Sequence, residues 1–152
     1  MKLSTKGRYA ITAMIELALR HKQGPVTLAD ISVEQSISVS YLEQLFSQLR
    51  KKGLVTGLRG PGGGYCLRRP ASEINLAEIL QAVDESVRRM NEPAVAERPL
   101  SLRIWDKLNN QFFDYLSEIT LAEVIKGNSE EVRSRLELPS PSFGIGLQRP
   151  AA

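Results

Sequence analysis

Apolar residues with helical spacing dominate the beginning of the chain. Over residues 5–21 they recur every three or four positions, which predicts a well-buried helix that Gly24-Pro25 ends. Thr27, followed three residues later by Asp30, has the spacing of a capping box, in which a side-chain oxygen satisfies a free amide of the first helical turn. A second, short helix is therefore expected to begin at this point.

A polar turn at 36–38 separates the short helix from the next one. Ser38 or Ser40 caps this third helix, and Gly53 ends it after Lys52, as a glycine that follows a helix C-terminus commonly does. At about 100° per residue, one face of the helix is apolar and belongs in the core. That face consists of Leu42, Leu45, Phe46 and Leu49.

The opposite face of helix 38–52 is polar and suits close contact with base edges. It consists of Ser40, Gln44, Ser47 and Lys51, with Glu43 and Gln48 at its flanks and Tyr41 nearer the core. Gln44 can pair with adenine, Ser40 with several bases, and the Glu43 carboxylate can accept a hydrogen bond from cytosine. Lys51 at the far end suits a phosphate. Glu43 is also placed to form a capping box with Ser40, and the two roles are compatible.

The pattern changes from helical to strand-like after Gly53. Residues 54–58 and 65–68 predict two short strands that form a β-hairpin, with Arg59 and a glycine-rich run at its tip. Phosphate-binding P-loops are also glycine-rich, but they continue into a helix with a Lys-Ser/Thr pair, whereas this run continues into a strand. A hairpin that follows paired helices is the wing of a winged helix-turn-helix, here with recognition helix 38–52 and wing 54–69.

The wing tip has the residues needed to approach DNA. Gly60, Gly62 and Gly63 allow a close approach of the backbone, and Arg59 can reach a minor groove. Cys66 lies in the second strand and is interpreted first as a small buried apolar residue, with a ligand or redox role as the alternative.

Two further copies of the helix-start pattern organise the second half of the chain. Asn75 with Glu78 predicts a helix to about Glu85, and Thr120 with Glu123 predicts a short helix to about residue 127. Residues 87–99 lack periodicity and contain two prolines, which predicts a loop. Residues 128–152 are rich in Pro, Ser and Gly, and a disordered tail is expected there.

Between these segments, a long amphipathic helix is predicted from Leu100 onward. Its apolar surface exceeds what a small domain can cover, so we favour homodimerisation through this helix over packing on its own domain. The residues expected at the dimer contact are Leu100, Ile104, Trp105, Leu108, Phe112 and Leu116. The predicted fold is thus mainly α with a small β-hairpin wing, with a DNA-binding domain at 1–86 followed by a loop at 87–99 and helices at 100–127.

Charge is distributed unevenly along the chain. The net charge of +3 combines +7 over residues 1–69 with −4 over residues 70–152. A basic module suggests a polyanionic partner, and Lys2 and Arg8 are further candidates for phosphate contacts. An interaction module for an acidic protein would show similar salt dependence, but it would not discriminate DNA sequences.

Composition excludes several other classes of protein. One cysteine and one histidine cannot form a disulfide framework, a four-ligand zinc site or a convincing Cys–His–Asn set, so neither a metal site nor an enzyme is expected. The polar N-terminus and the absence of an 18-residue apolar run lead us to expect a cytoplasmic protein without a membrane span.

Residues 1–86 closely resemble the IscR-type winged-helix regulators, bacterial regulators of iron–sulfur cluster assembly. The matching stretches are Lys6-Gly7-Arg8-Tyr9-Ala10, Ser40-Tyr41-Leu42-Glu43-Gln44-Leu45-Phe46, Arg59-Gly60-Pro61-Gly62-Gly63-Gly64-Tyr65 and Ala82-Val83-Asp84-Glu85-Ser86. The likeness continues more weakly from Trp105 to Gly127. It implies a homodimer that binds double-stranded DNA, with base contacts from Ser40, Glu43 and Gln44 and a minor-groove contact from Arg59. Ser38 and Tyr41 are further candidates for DNA contacts.

The resemblance also implies a two-iron two-sulfur cluster, held in that family by three cysteines and one histidine before and at the start of the long helix. Residues 87–104 contain neither Cys nor His, and a cluster needs thiolate or imidazole ligands. We therefore expect no cofactor in the family's site. An iron- or redox-sensing regulator that uses Cys66 or ligands from a partner is the alternative.

Overall fold

The computed structural model describes residues 4–90 and 97–126, which form a mainly helical fold with one antiparallel hairpin. The helices are α1 (Thr5–Arg20), α2 (Leu28–Gln35), α3 (Val39–Lys51), α4 (Leu76–Val83), α5 (Glu85–Met90), α6 (Leu100–Glu118) and α7 (Leu121–Lys126). The strands are β1 (Val55–Leu58) and β2 (Gly64–Leu67), and short 3₁₀ turns occupy His21–Gln23 and Ala71–Glu73. The predicted helix–helix–helix–hairpin order is confirmed.

The three helix-start signals are confirmed as local hydrogen-bonded caps. The Thr27 hydroxyl accepts a hydrogen bond from the Asp30 amide at 3.1 Å at the start of α2. Asn75 and Glu78 satisfy each other's amides at 2.9 and 3.1 Å, which is a complete capping box, and the same exchange opens α7. Each cap satisfies amides that the helix leaves without intrahelical partners, so the helix starts follow from local sequence.

Ser38, and not Ser40, is the N-cap of α3. Its hydroxyl accepts a hydrogen bond from the Tyr41 amide at 3.3 Å. Ser40 lies inside the first helical turn, so the predicted capping box between Ser40 and Glu43 does not form. The Glu43 side chain is exposed instead, which leaves its carboxylate free for an external partner.

Gly53 ends α3 as the sequence predicts. Its φ of +72° lies in the left-handed region, and its amide donates to the Arg50 carbonyl at 3.0 Å. The Leu54 amide donates to the Leu49 carbonyl at 3.1 Å, which completes a Schellman motif and turns the chain directly into β1.

The predicted loop at 87–99 is wrong over its first residues, because α5 extends through Met90. Asp84 has an extended backbone that ends α4, and its carboxylate caps the new helix by accepting from the Ser86 amide at 2.9 Å. Val87 is the buried residue of this short helix, and a single apolar position gives no periodicity for a sequence to show. Residues 91–96 of that predicted loop lie outside the described residues, as does the predicted tail.

Two groups of buried residues hold the helices together. The larger group joins α1, α2, α3, β1 and α4, and it also contains Leu121 of α7. The smaller group consists of Ala77, Leu80, Val87 and Leu116, and joins α4, α5 and α6. The backbones of Asn75 and Thr120 are bridged as well, so α4 and α7 begin side by side. Helix α7 therefore packs on the helices that precede the wing, whereas α6 packs on α4 and α5, which follow it.

Asp84 connects this junction to the beginning of α1. Asp84 is buried, with a relative exposure of 8%. It accepts hydrogen bonds from the Ser4 hydroxyl and the Ser86 hydroxyl, each at 2.6 Å. Burial alone raises the pKa of Asp84, but the hydrogen bonds from Ser4, Ser86 and the Val87 amide outweigh it and hold the pKa below its ordinary value.

The Asp84→Asn variant is expected to lose about 1–3 kcal/mol of unfolding free energy at neutral pH, because neutral amide contacts replace hydrogen bonds to a charged carboxylate. A depressed folded-state pKa adds stability above the unfolded pKa of about 3.9, and this stability is lost as the pH falls through the folded pKa. Denaturant unfolding at about pH 7 and about pH 3 should therefore show a smaller difference between wild type and variant in acid. Asp114→Asn, at an exposed carboxylate of α6, is the control, and an equal loss for Asp84→Asn at both pH values would contradict the assignment.

Candidate nucleic-acid interface

The polar face of α3 is presented to solvent as predicted. Ser40, Glu43, Gln44 and Lys51 are exposed and Ser47 is half-buried, and we call these five residues the reading face. The four apolar residues of the helix are buried on the other side, which fixes the rotation of α3 about its axis. Four of the five residues of the reading face are therefore open to a partner, and Ser47 is partly open.

Two residues near the reading face differ from their predicted positions. Gln48, expected at its flank, is half-buried, and its Oε1 is buried with no hydrogen-bond partner in the described residues. Ser38 uses its hydroxyl oxygen as the helix cap, although the residue itself is exposed. Tyr41 is half-buried as expected near the core border.

The N-terminal half of α1 lies against the start of α3. The rings of Tyr9 and Tyr41 pack edge to face, with centroids 5.7 Å apart and an interplanar angle of 85°. Arg8, the residue before Tyr9, is exposed, and its contact with phosphate stays a prediction. Lys2 lies outside the described residues.

The glycine-rich tip of the hairpin is a tight turn with an open outer surface. The Gly63 amide donates to the Gly60 carbonyl at 2.9 Å, and Pro61 followed by Gly62 at a φ of +74° makes this a type II turn. Nothing lies within 4 Å of where a Cβ of Gly60 or Gly62 would be. The exposed Arg59 adds a cation beside this open backbone.

Two other glycines of the run serve the hairpin itself rather than an external partner. A Cβ at Gly63 would lie 2.4 Å from the Leu58 carbonyl oxygen, and one at Gly64 would lie 2.5 Å from the Val26 carbonyl oxygen. Gly63 is thus needed to close the turn, and its role in approaching DNA stays a prediction. Gly64 is needed where β2 meets the segment before α2.

The wing is fastened to the rest of the protein through Tyr65. Its amide and carbonyl pair with Val26 at 2.7 and 2.9 Å, which adds a third short strand segment beside β2. Its ring packs on Phe46 of α3 with centroids 4.8 Å apart. Neither contact could be predicted from the sequence. A single valine gives no strand pattern, and Phe46 and Tyr65 are far apart in the chain. Together they hold the wing at a fixed position relative to α3.

The cations around this surface divide into free and paired groups. Arg59, Lys51 and Lys52 are exposed and have no ion-pair partner among the described residues. Arg69, by contrast, forms a salt bridge with Glu78 at 2.8 Å and donates to the Glu73 carbonyl. Arg69 therefore belongs to the packing of α4 rather than to the basic surface.

Helix α6 has an apolar stripe that residues 4–90 and 97–126 leave exposed. The stripe consists of Leu100, Ile104, Leu108 and Tyr115, with Trp105 beside it. Ile104 and Trp105 are 57% and 56% exposed, which is unusual for such large apolar side chains in a group. Polar residues such as Arg103 and Asn110 occupy another side of the helix.

Two residues expected at the dimer contact lie elsewhere. Leu116 is buried in its own chain at 5% exposure, and the half-buried Phe112 packs against the same group. This end of α6 therefore covers α4 and α5. Packing on its own chain therefore holds for one side of the helix, while homodimerisation through the exposed side stays a prediction.

The residues present do not fit a two-iron two-sulfur cluster. Cys66 is half-buried on β2, opposite Thr56 in the hairpin register, so it is more exposed than expected for a core residue. Met90, the soft donor nearest the family's site, packs against the Val87 and Leu116 group. Within residues 4–90 and 97–126, no three side chains of His, Cys, Asp or Glu come together to hold a metal ion. Helices in this part of the chain are also too short or too polar to span a membrane.

Known regulators have similar sequences and folds. A family model described as "Rrf2: Iron-dependent Transcriptional regulator" matches residues 3–127. The HTH-type transcriptional regulator IscR of Photorhabdus laumondii is 51% identical over 137 residues, covering 87% of this chain and 82% of that protein.

Solved structures agree with this similarity. IscR of T. potens superposes with a TM-score of 0.74 at 36% identity, covering 86% of this chain and 90% of that one. CymR, titled the global cysteine regulator of B. subtilis, superposes with a TM-score of 0.72 at 34% identity, covering 83% and 97% of the two chains.

Proposed function

Since this chain belongs to the Rrf2 family of transcriptional regulators, as a winged-helix member of the IscR type, we propose that it is a homodimeric protein that binds double-stranded DNA in a sequence-specific manner. The observation that carries the proposal is the exposed reading face of α3 beside a wing held in place by Tyr65. The reading face enters the major groove, and Arg59 at the wing tip contacts the flanking minor groove or its phosphates.

The division of labour within the interface follows from side-chain chemistry. Ser40, Glu43 and Gln44 lie in the first half of α3, where short polar side chains reach base edges. Lys51 and Lys52 lie at its other end, and the exposed Arg8 precedes Tyr9, whose ring packs on Tyr41 of α3. These cations bind phosphates and set the register without reading sequence.

The exposed stripe of α6 supports the homodimer. Two copies that bury this stripe against each other form a symmetric contact, in which Ile104 and Leu108 occupy the centre. A two-fold dimer binds a pseudo-palindromic operator, with the recognition helices about 34–36 Å apart, one turn of DNA. Such a protein represses transcription most simply, because occupancy of a promoter-proximal operator by itself excludes polymerase.

We further propose that DNA binding does not depend on a cluster in the family's site. The family description names iron dependence, but this chain has no thiolate or imidazole donors at 87–104. The protein acts in the cytoplasm, where the bacterial chromosome is located, and catalysis forms no part of the proposed role.

Glu43→Ala tests whether the reading face reads sequence. The binding site is first selected from random DNA by the wild-type protein, and fluorescence anisotropy then compares this site with a scrambled duplex. Loss of a hydrogen bond to cytosine should cost about 1–3 kcal/mol on the selected site, while removal of a negative charge leaves scrambled DNA bound equally well or slightly better. The ratio of the two affinities should therefore fall by about fivefold or more.

Glu73→Ala is the matched control, because Glu73 is an exposed carboxylate outside the reading face. It should leave the ratio unchanged. Equal changes on both duplexes for Glu43→Ala would remove Glu43 from base reading. A wild-type protein that selects no sequence would overturn the proposed function itself.

A further inference from the structure

A cleft lies behind the reading face and uses none of its residues. It has a volume of about 270 Å³ and is lined by Lys52, Leu54, Glu78, Gln81 and Arg88. These residues come from the end of α3, the entry to β1, α4 and α5. The cleft therefore touches the DNA-reading part of the molecule on one side and the helices that lead toward α6 on the other.

The uncompensated charge of this cleft is positive. The Glu78 carboxylate is already neutralised, since Arg69 contacts one oxygen at 2.8 Å and the Asn75 amide donates to the other at 3.1 Å. Lys52 has no ion-pair partner in the described residues. Arg88 pairs with Glu85 at 3.1 Å, but both side chains are largely exposed, so this pair is weak and exchangeable.

The cleft also has features of a site for an organic anion. Leu54, which is 1% exposed, contributes an apolar part of the lining, and the Gln81 amide offers hydrogen bonds. The Arg88 Nε donates to the Gln81 carbonyl at 3.3 Å, which orients the guanidinium while leaving other donors unused. A guanidinium and an ammonium beside an apolar floor suit a small carboxylate with a short hydrocarbon part.

We propose that this cleft binds a small carboxylate-bearing metabolite, held by Lys52 and Arg88, that lowers the affinity of the protein for DNA. The regulatory half of the inference rests on the proposed function. Bound carboxylate neutralises Lys52, one of the cations expected on the DNA phosphates, so ligand and DNA oppose each other. By linkage, bound DNA lowers the affinity for the carboxylate by the same factor by which the bound carboxylate lowers the affinity for DNA.

Leu54 connects the cleft directly to the recognition helix α3 and to the wing. The Leu54 amide donates to the last turn of α3 at Leu49, and the Leu54 carbonyl accepts from the Arg68 amide at the end of the wing, each at 3.1 Å. A ligand in contact with Leu54 therefore lies against the point where the recognition helix joins the wing.

Binding is tested first without DNA, on the full-length protein labelled with ¹⁵N. Glutarate is the probe, its uncharged diamide is the control for charge, and inorganic phosphate is the control for a bare anion. Glutarate should give saturable amide shifts at residues 52, 54, 81 and 88 with a Kd of about 1 mM, and the diamide should not. Shifts that do not saturate, or phosphate shifts of equal affinity at the same residues, would overturn an organic-anion site.

Charge at the cleft is tested by Arg88→Gln, which should lower the affinity for glutarate by about fivefold or more. Arg88→Lys should retain part of that affinity. Arg89→Gln is the matched control, since the neighbouring Arg89 is exposed and does not line the cleft. Equal glutarate affinity in Arg88→Gln and Arg89→Gln would overturn the assignment.

The regulatory half is tested by anisotropy on the selected operator at constant ionic strength. Saturating glutarate should lower the affinity of the wild type for DNA by about fivefold, and it should have little effect on Arg88→Gln. Glutarate binding without an effect on DNA would overturn the regulation while leaving the site. A wild-type protein that binds no DNA would instead overturn the proposed function. The NMR titration contains no DNA, so its result for the cleft would still stand.

Discussion

The Ile104→Glu variant is expected to be monomeric and to bind the operator about a hundredfold more weakly than the wild type, the largest effect that we predict. Ile104 is at the centre of the exposed stripe of α6, between Leu100 and Leu108. In a symmetric dimer, a carboxylate at this position meets the apolar stripe of the partner and must be desolvated without a counter-charge. A monomer contacts one half-site and loses the gain in effective concentration that comes from linking two binding units.

Sedimentation velocity at about 10 μM measures the association state, and anisotropy measures operator affinity at the same salt concentration. Asn110→Glu is the matched control, since it introduces the same charge on an exposed position of α6 away from the stripe. It should remain dimeric with wild-type affinity. A wild-type protein that sediments as a monomer, or an Ile104→Glu protein that remains a dimer, would contradict the proposed contact.

Gly64→Ala is expected to destabilise the fold by about 2–4 kcal/mol and to impair DNA binding through the wing. The φ of Gly64 is +151°, and an added Cβ would lie 2.5 Å from the Val26 carbonyl oxygen. This oxygen is held by the Tyr65 amide at 2.7 Å, so it cannot retreat without breaking the pairing of Val26 with β2. The packing of Tyr65 on Phe46 depends on that pairing.

Denaturant unfolding and operator binding of the folded variant measure the two effects. Gly60→Ala separates the clash from the cost of a positive φ, because Gly60 has a φ of +96° but open space around it. It should cost only about 1 kcal/mol. Equal stabilities of the two variants would show that contact with Val26 does not restrict Gly64.

Features with short-range causes could be predicted from the sequence. The starts of α2, α4 and α7 follow from an acceptor and a carboxylate three residues apart, and the end of α3 follows from Gly53. The rotation of α3 follows from its apolar positions, so the reading face was predictable as well. Each depends on contacts within about one helical turn.

The predictions from the sequence failed where the contacts of a side chain come from a segment far away in the chain. Leu116 continues the four-residue spacing of the apolar positions in α6, yet it is buried against Ala77, Leu80 and Val87. Helix α5 depends on Asp84, whose carboxylate is also held by Ser4, 80 residues away in sequence. Gly63 and Gly64 are required by close contacts with Leu58 and Val26, which the sequence pattern does not show.

The sequence by itself determined the order of the first three helices and the hairpin, the starts of α2, α4 and α7, the end of α3 and the polar face of α3, because hydrogen bonds and periodicity within one turn specify them. It also determined which ligands are missing at 87–104, since that depends only on residue type. Only the tertiary structure decided which side of α6 remains open, how Tyr65 fastens the wing and which cations line the cleft behind α3. These depend on burial between segments far apart in the chain, and a local pattern contains no information about which segments meet.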